Sequence, residues 1–296
     1  MTPYKILVAD DQELMRTILV RFIQRAGYDV LTAQNGEEAI DLYKLEHPAL
    51  VISDIQMPKM NGLTLLREIK KIDERAFVIL ISGFGSEEVL LQALRGGAIN
   101  FFKKPFKVEE VVDVLHQVLR HREIAQFPDL ATPALAADEK RFEFAPYDVN
   151  VLPIINQIAL NLGALLPETD IINVRIGIEE MINNAIEHGC LDIGFEEKSA
   201  ALRSGTFNEL IKEKMKKLLE RPRKIYVSSR LAPEELLVVI RDEGTGFDWR
   251  SVPALSSENL LHYNGRGIFL TKIFFDSVSY NAQGNEVTLC KKKKRA

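Results

Sequence analysis

The feature that most constrains this chain is a rhythm. Across roughly its first 120 residues, short apolar runs alternate with amphipathic stretches, five times over. "YKILVAD", "ALVISD", "AFVILIS" and "INFFKK" are runs too apolar to keep one face in water, as expected of buried parallel strands, and a weaker strand, "DVLTA", falls near residues 29–33. Between and after them lie "ELMRTILVRFIQRAG", "GEEAIDLYKLEH", "GLTLLREIKKI", "EEVLLQALRGG" and "VEEVVDVLHQVLRHR", whose apolar residues recur at helical spacing. Five βα repeats predict a doubly wound, five-stranded parallel α/β domain over residues 1–123.

The rhythm then stops. "AQFPDLATPALAADEK", rich in Pro, Ala and acidic residues, reads as a linker over 124–140. From 141 onward a strand, "KRFEFAP", precedes a helix near "VNVLPIINQIALNLGA" and a further helix containing "IEEMINNAIEHG". "RKIYVSSRLAPEELLVVIRDEG" and "DSVSYNAQGNEVTLCKKK" each read as two strands around a turn. Helices beside antiparallel strands predict an α+β sandwich over 141–296, interrupted at about 190–224 by a charged, partly helical insertion.

Composition narrows the partners. Without the terminal "KKKKR", residues 124–296 carry 17 basic against 24 acidic residues, which argues against a nucleic-acid surface. No run approaches the roughly 18 apolar residues of a membrane span. "MTPYKILVADD" lacks the layout of a secretory signal. Cys190 and Cys290 are the only cysteines and have no metal or disulfide spacing, so a cytoplasmic protein is expected.

In an open α/β sheet, ligands gather at the carboxyl ends of the strands. Asp10 and Asp11 end the first predicted strand, Asp54 the third, Ser82 the fourth and Lys104 the fifth, ahead of Pro105. Converging carboxylates call for a hard cation such as Mg²⁺. A hydroxyl and an ammonium beside them suit a phosphoryl group. Through "LVADD", "ISDIQMPKMNG", "ISG" and "FFKKPF", residues 1–123 resemble the receiver domain of two-component response regulators. The resemblance implies that Asp54 accepts phosphate from a histidine kinase or another phosphodonor. It further implies that Mg²⁺ is held by Asp11, Asp54 and the carbonyl of Gln56, with Asp10 assisting through water. Ser82 and Lys104 would contact the phosphoryl group, and Phe101 stands in the place of the aromatic switch. The Lys104–Pro105 bond is expected to be cis.

The second half offers another constellation. Glu180, Asn184 and His188 are four apart and form a polar stripe beside the apolar face of Ile178, Met181, Ile182, Ala185 and Ile186. Further on come "RDEGTGFD" and "NGRGIFLTKIFFDSV", where alternate glycines let backbone approach a ligand closely. The second cluster opens an apolar helix whose first amides suit phosphate. Together these residues resemble the Bergerat-type (GHKL) ATPase domain, and within it the anti-sigma-factor serine/threonine kinases. By resemblance, Asn184 binds Mg²⁺ at the phosphates of ATP and Glu180 takes the proton of the attacking hydroxyl. Asp242 binds the adenine amino group in a pocket shaped by Gly244 and Gly246. Gly265 and Gly267 approach the phosphates with Arg266 as a charge partner, and His188 is placed either there or in a structural hydrogen bond. Asn285 stands where a threonine is common, next to the adenine contact.

The resemblance implies a kinase acting on a STAS-domain anti-sigma-factor antagonist, with a sigma factor as a further partner, a homodimeric assembly, and control through phosphorylation of Asp54. Two other readings compete with it. One is a nucleotide-binding module that holds a sigma factor or antagonist without catalysis. The other is an atypical histidine kinase, for which His116 and His121 are the candidate acceptors; their sequence context does not favour it, and both are expected at the surface.

Overall fold

The computed structural model describes residues 4–83, 87–124, 136–147, 150–247 and 266–293. Two compact units divide at Glu123 and Ile124. In the first, β1 (Lys5–Ala9), β2 (Asp29–Ala33), β3 (Leu50–Asp54), β4 (Val78–Ser82) and β5 (Asn100–Lys103) form one parallel sheet in the order β2-β1-β3-β4-β5. Helices α1 (Glu13–Arg25), α2 (Gly36–Glu46), α3 (Gly62–Ile72), α4 (Glu87–Arg95) and α5 (Val108–Ile124) make the crossovers and the closing element. Every residue of β3 and β4 is buried, as the unbroken apolar runs require. Each fully buried Leu, Ile or Val contributes roughly 2 kcal/mol of transfer free energy. Asn35 and Asn61 cap α2 and α3 by accepting backbone hydrogen bonds from Glu37, Glu38 and Thr64. The strand order reverses between β1 and β3, which places a crevice at their carboxyl ends.

His116 and His121 on α5 correct the expectation of surface residues. His121 is fully buried, and His116 is only partly exposed, with its ring 5.5 Å from that of Tyr28. Both lie on a helix whose Val111, Val114, Leu115, Val118 and Leu119 are buried, so a histidine beside them is drawn into the packing.

The second unit is built on an antiparallel sheet, β6-β7-β8-β10-β9. Its strands are β6 (Asp138–Phe144), β7 (Ile225–Ala232), β8 (Glu235–Asp242), β9 (Ser277–Tyr280) and β10 (Glu286–Lys292). Alternation buries Ile225, Val227, Leu236, Val238, Ile240, Val287 and Leu289 on one face. The helices are α6 (Leu152–Ala159), α7 (Glu168–Asn184), α8 (Phe195–Ser204), α9 (Phe207–Leu218) and α10 (Arg266–Phe274). Helix α7 packs so closely at Gly177 against the end of α10 that a Cβ there would press on the ring of Phe275, the residue just after α10. The insertion is the helical pair α8–α9.

Three local features depart from the sequence reading. β6 begins at Asp138, inside the stretch read as linker. The helix expected near "VNVLPIINQIALNLGA" ends at Ala159, because Asn161 adopts a left-handed conformation (φ 70°) and the chain restarts as a short 3₁₀ turn over Leu162–Ala164. Finally, α7 stops being α-helical at Asn184 and continues as a π-helical turn over Ala185–Cys190. Among the described residues no helix is long and apolar enough to cross a membrane.

Candidate functional site

In the first unit the carboxyl ends of β1, β3 and β5 bring three carboxylates and a lysine together. One ligand atom each from Asp10, Asp11 and Asp54 lies within 4.8 Å of the others, with Asp10 and Asp54 buried and Asp11 exposed. Lys104 donates to Asp54 Oδ2 at 2.5 Å and to Asp10 Oδ2 at 2.9 Å. Its peptide bond to Pro105 is cis. Burial pushes the Asp54 carboxyl above its usual range, against the pull of hydrogen bonds from Lys104 and from the Gln56 amide at 3.1 Å. Burial alone would lower Lys104, but its bonds to Asp54 and Asp10 outweigh that and raise it. Ser82 is fully buried at the end of β4, and Phe101 is buried on β5 opposite Leu80. A carboxylate trio with one ammonium between its members suits a divalent cation and, beside it, a phosphoryl group.

Two residues that sequence reasoning passed over hold this crevice. Arg16 donates to the Asp10 carbonyl at 2.7 Å, which fixes the end of β1. Gly62 lies so close to the Asp54 carbonyl that a Cβ would overlap it, and its amide donates to the Ile55 carbonyl at 2.9 Å. The "MPKMNG" string held the signal: a glycine closing a turn just after a strand end.

In the second unit, α7 and its π-helical extension carry the polar stripe. Glu180 and Asn184 are one α-turn apart and both half-buried. The Glu180 carboxylate lies against Gly267, where a Cβ would overlap Oε2. It therefore sits at the N-terminal end of α10, where helix dipoles favour negative charge. Thr271, one turn further on, donates to the Gly267 carbonyl at 2.8 Å. Arg266 begins α10, while its side chain and all of Gly265 lie outside the described residues.

The π-helical turn changes the stripe's far end. The five-residue hydrogen bonds rotate His188 out of line with Glu180 and Asn184. It is exposed, and its Nδ1 donates to the Ile193 carbonyl at 2.5 Å, the structural hydrogen bond at the helix end. Gly189 instead meets the strand-end motif. A Cβ on Gly189 would overlap the Asp242 carboxylate, and one on Gly244 would overlap the Gly189 carbonyl. The amide of Gly244 donates to Asp242 Oδ1 at 2.8 Å. Burial raises the Asp242 carboxyl above its usual range, opposed by the Gly244 amide and by the charge of Arg223.

The β9–β10 turn supports the same corner. Asn285 donates to the Asp242 carbonyl at 2.9 Å and accepts from the Asn281 side chain at 2.8 Å. Its amide is spent on the backbone of β8. Gly246, with φ 76°, leaves room for the Gln283 carbonyl. Sequence reasoning missed Gly189, Asn281 and Arg223. Gly189 was visible as a glycine directly after the stripe, whereas Arg223 was hidden in a charged segment.

Comparison with known proteins follows this division. Residues 6–116 match the response regulator receiver domain and residues 148–291 the histidine kinase-like ATPase domain. The chemotaxis protein CheY of Thermotoga maritima is 41% identical over 115 residues, 38% of this chain and 96% of that protein. CheY of Bacillus subtilis is 37% identical over 117 residues, 39% of this chain and 98% of that protein. A solved response regulator receiver domain protein from Clostridium thermocellum shares 28% identity with a TM-score of 0.40, covering 41% of this chain and 98% of that one. The chain belongs to the response regulator family, its receiver domain being joined to a histidine kinase-like ATPase domain.

Proposed function

We propose that the output of this response regulator is an ATP-dependent serine/threonine protein kinase of the anti-sigma-factor type, governed by phosphorylation of Asp54. The observation that supports it best is the span of α7 and its extension. Glu180 lies against Gly267 at the start of α10, with Asn184 one turn further along α7, and Gly189 lies against Asp242. Glu180 and Gly189 are nine residues apart, at most roughly 13 Å along the axis at the α-helical rise, a distance suited to a nucleotide's length from base to phosphates.

In this reading Asp242 accepts a hydrogen bond from the adenine amino group, and Gly244 and Gly246 leave the base room. Gly267, with Gly265 and Arg266, faces the phosphates. Glu180 takes the proton of a substrate serine or threonine as its oxygen bonds to the γ-phosphorus and the bond to ADP breaks. Asn184 is the residue suited to hold Mg²⁺, which when bound neutralises phosphate charge. His188 is assigned to structure and not to phosphate. In the receiver, an Asp54 oxygen attacks the phosphorus of a phosphodonor, a histidine kinase or a small molecule, and the donor's leaving group departs. Lys104 and Ser82 meet the transferred group. Asp11, Asp54 and the Gln56 carbonyl are the residues suited to Mg²⁺, with Asp10 assisting through water, and Phe101 is the aromatic that reports the change. The substrate is a STAS-domain anti-sigma-factor antagonist in a cytoplasmic partner-switching pathway, with a sigma factor and a second copy of the chain as further partners.

One observation favours a second reading. The Glu180 carboxylate is packed against Gly267, as it would be in a module that holds nucleotide and partner without catalysis. The histidine-kinase reading is disfavoured, since His121 is buried and His116 packs on Tyr28. The test is transfer of labelled γ-phosphate from Mg-ATP to purified STAS proteins by wild type, Glu180→Ala and Asp54→Ala, with and without a small-molecule phosphodonor. Label on a STAS serine or threonine, lost in Glu180→Ala, is the expected result, and the donor's effect in wild type alone gives the sign of receiver control. Nucleotide binding without any transfer would move the binding-module reading ahead.

A further inference from the structure

Resting on the nucleotide reading above, a second group of residues bears on the adenine corner. Arg223 stands just before β7, at the end of the insertion. Its Nη1 donates to the Gly189 carbonyl at 2.9 Å, to the Cys190 carbonyl at 3.4 Å and to Asp192 Oδ1 at 2.7 Å. Those two carbonyls belong to the last residues of the π-helical turn, where the helix's own acceptors run out. Gly189 is also the residue at which a Cβ would overlap the Asp242 carboxylate, and its carbonyl lies where a Cβ on Gly244 would fall. One guanidinium therefore fixes the backbone on which the adenine-facing carboxylate rests.

The insertion reinforces the same segment. Lys198 of α8 pairs with Glu187, and Lys214 of α9 donates to the Asp192 carbonyl at 3.3 Å while pairing with Glu197 at 2.9 Å. Asp192 itself holds a left-handed backbone, φ 51°. Residues 187–192 are thus gripped by three cations, two from the insertion and one from its exit.

We propose that Arg223 is a positioning residue of the nucleotide site, holding the Gly189–Cys190 carbonyls so that Asp242 is presented to adenine, with the α8–α9 insertion as the brace of that turn. The role is both geometric and electrostatic. Charged or titratable groups acting on Asp242 are Arg223 and Asp192, with Glu243 next along the chain and the Cys190 thiol on the turn. Arg223 favours the ionised carboxylate, and Asp192 opposes it. All three contacts are made by Nη1 of a rigid guanidinium, whereas a lysine carries the charge as a point on a shorter, flexible stem.

The test is ADP binding by calorimetry, on the full chain without added metal, between about pH 5 and pH 8, a range reaching above the ordinary carboxylate pKa. Wild type is expected to bind, with affinity falling at the acid end as Asp242 protonates. Arg223→Ala should bind about tenfold more weakly near neutrality, the size of one lost charge-assisted hydrogen bond, and its acid limit should move to higher pH. Arg223→Lys should keep the wild-type acid limit and still bind more weakly. Asp192→Asn should move the limit the other way, so the electrostatic half stays testable if Arg223→Ala fails to fold. An affinity loss with an unmoved acid limit would mean a merely structural residue and would overturn the proposal, as would unchanged binding in Arg223→Ala. Failure of wild type to bind any adenine nucleotide would overturn the nucleotide reading and this one with it.

Discussion

At the scale of single residues, the second site depends on atoms that are missing as much as on those present. Gly189 carries no Cβ because the Asp242 carboxylate occupies that space. Restoring one methyl forces either the turn or the carboxylate to move, and overpacking of this kind costs about 1–3 kcal/mol. The neighbouring Cys190 reports which one moves. Burial, then the charge of Asp242, pushes its thiol up to about 12, so the native thiolate is scarce at neutral pH. Gly189→Ala is expected to weaken ADP binding by about tenfold or more, since about 1.4 kcal/mol is a factor of ten. If the turn yields, Cys190 also becomes alkylable in the folded protein, whereas in wild type it stays protected until unfolding. Mass spectrometry after brief iodoacetamide treatment reads this site by site. Full ADP affinity in a folded Gly189→Ala would show that the close approach has no bearing on the site.

At the scale of elements, what was legible in the sequence was whatever local pattern decides. Unbroken apolar runs marked β3 and β4, alternation marked β7, β8 and β10, and strand-end placement marked Asp54 and Lys104. The π-helical turn was not legible, because the carboxylate it packs against, Asp242, lies some fifty residues further along. Periodicity read on one helix extends Glu180 and Asn184 to His188, but the α-helix ends at Asn184, and it is Gly189 of the π-helical turn that meets Asp242. The end of α6 has the opposite character, because it is set locally by Asn161, which the apolar run around it masks in the sequence. Its left-handed backbone is tolerated by Asn or Gly and costs other residues about 1–2 kcal/mol. Its side chain donates to Asp138 Oδ2 at 3.2 Å, tying the end of α6 to the first residue of β6. Asn161→Ala loses both terms and should destabilise the second unit by about 2 kcal/mol, Asn161→Gly only the hydrogen bond of about 1 kcal/mol. Urea midpoints of the two variants decide it, and equal losses would assign the whole effect to the bond.

At the scale of the whole molecule, two compact units with separate cores predict two separable responses to ligand. The receiver crevice holds three carboxylates against one lysine, and burial has raised Asp54, so its ionised form opposes folding. The sign follows from linkage: a carboxyl whose folded pKa lies above its unfolded value contributes stability that is fully present below the unfolded pKa. That contribution is lost as pH rises through the folded pKa. At neutral pH the charge is therefore a cost, which a divalent cation would offset. Asp54→Asn removes the charge while keeping an acceptor for Lys104. It is expected to raise the melting temperature of the first unit in metal-free buffer and to abolish the increase that Mg²⁺ gives the wild type. ADP should shift the other transition, in both proteins. Calorimetric scans at neutral pH distinguish the cases. If Mg²⁺ stabilises Asp54→Asn as much as wild type, the cation is held elsewhere, and the crevice at β1 and β3 is not its site.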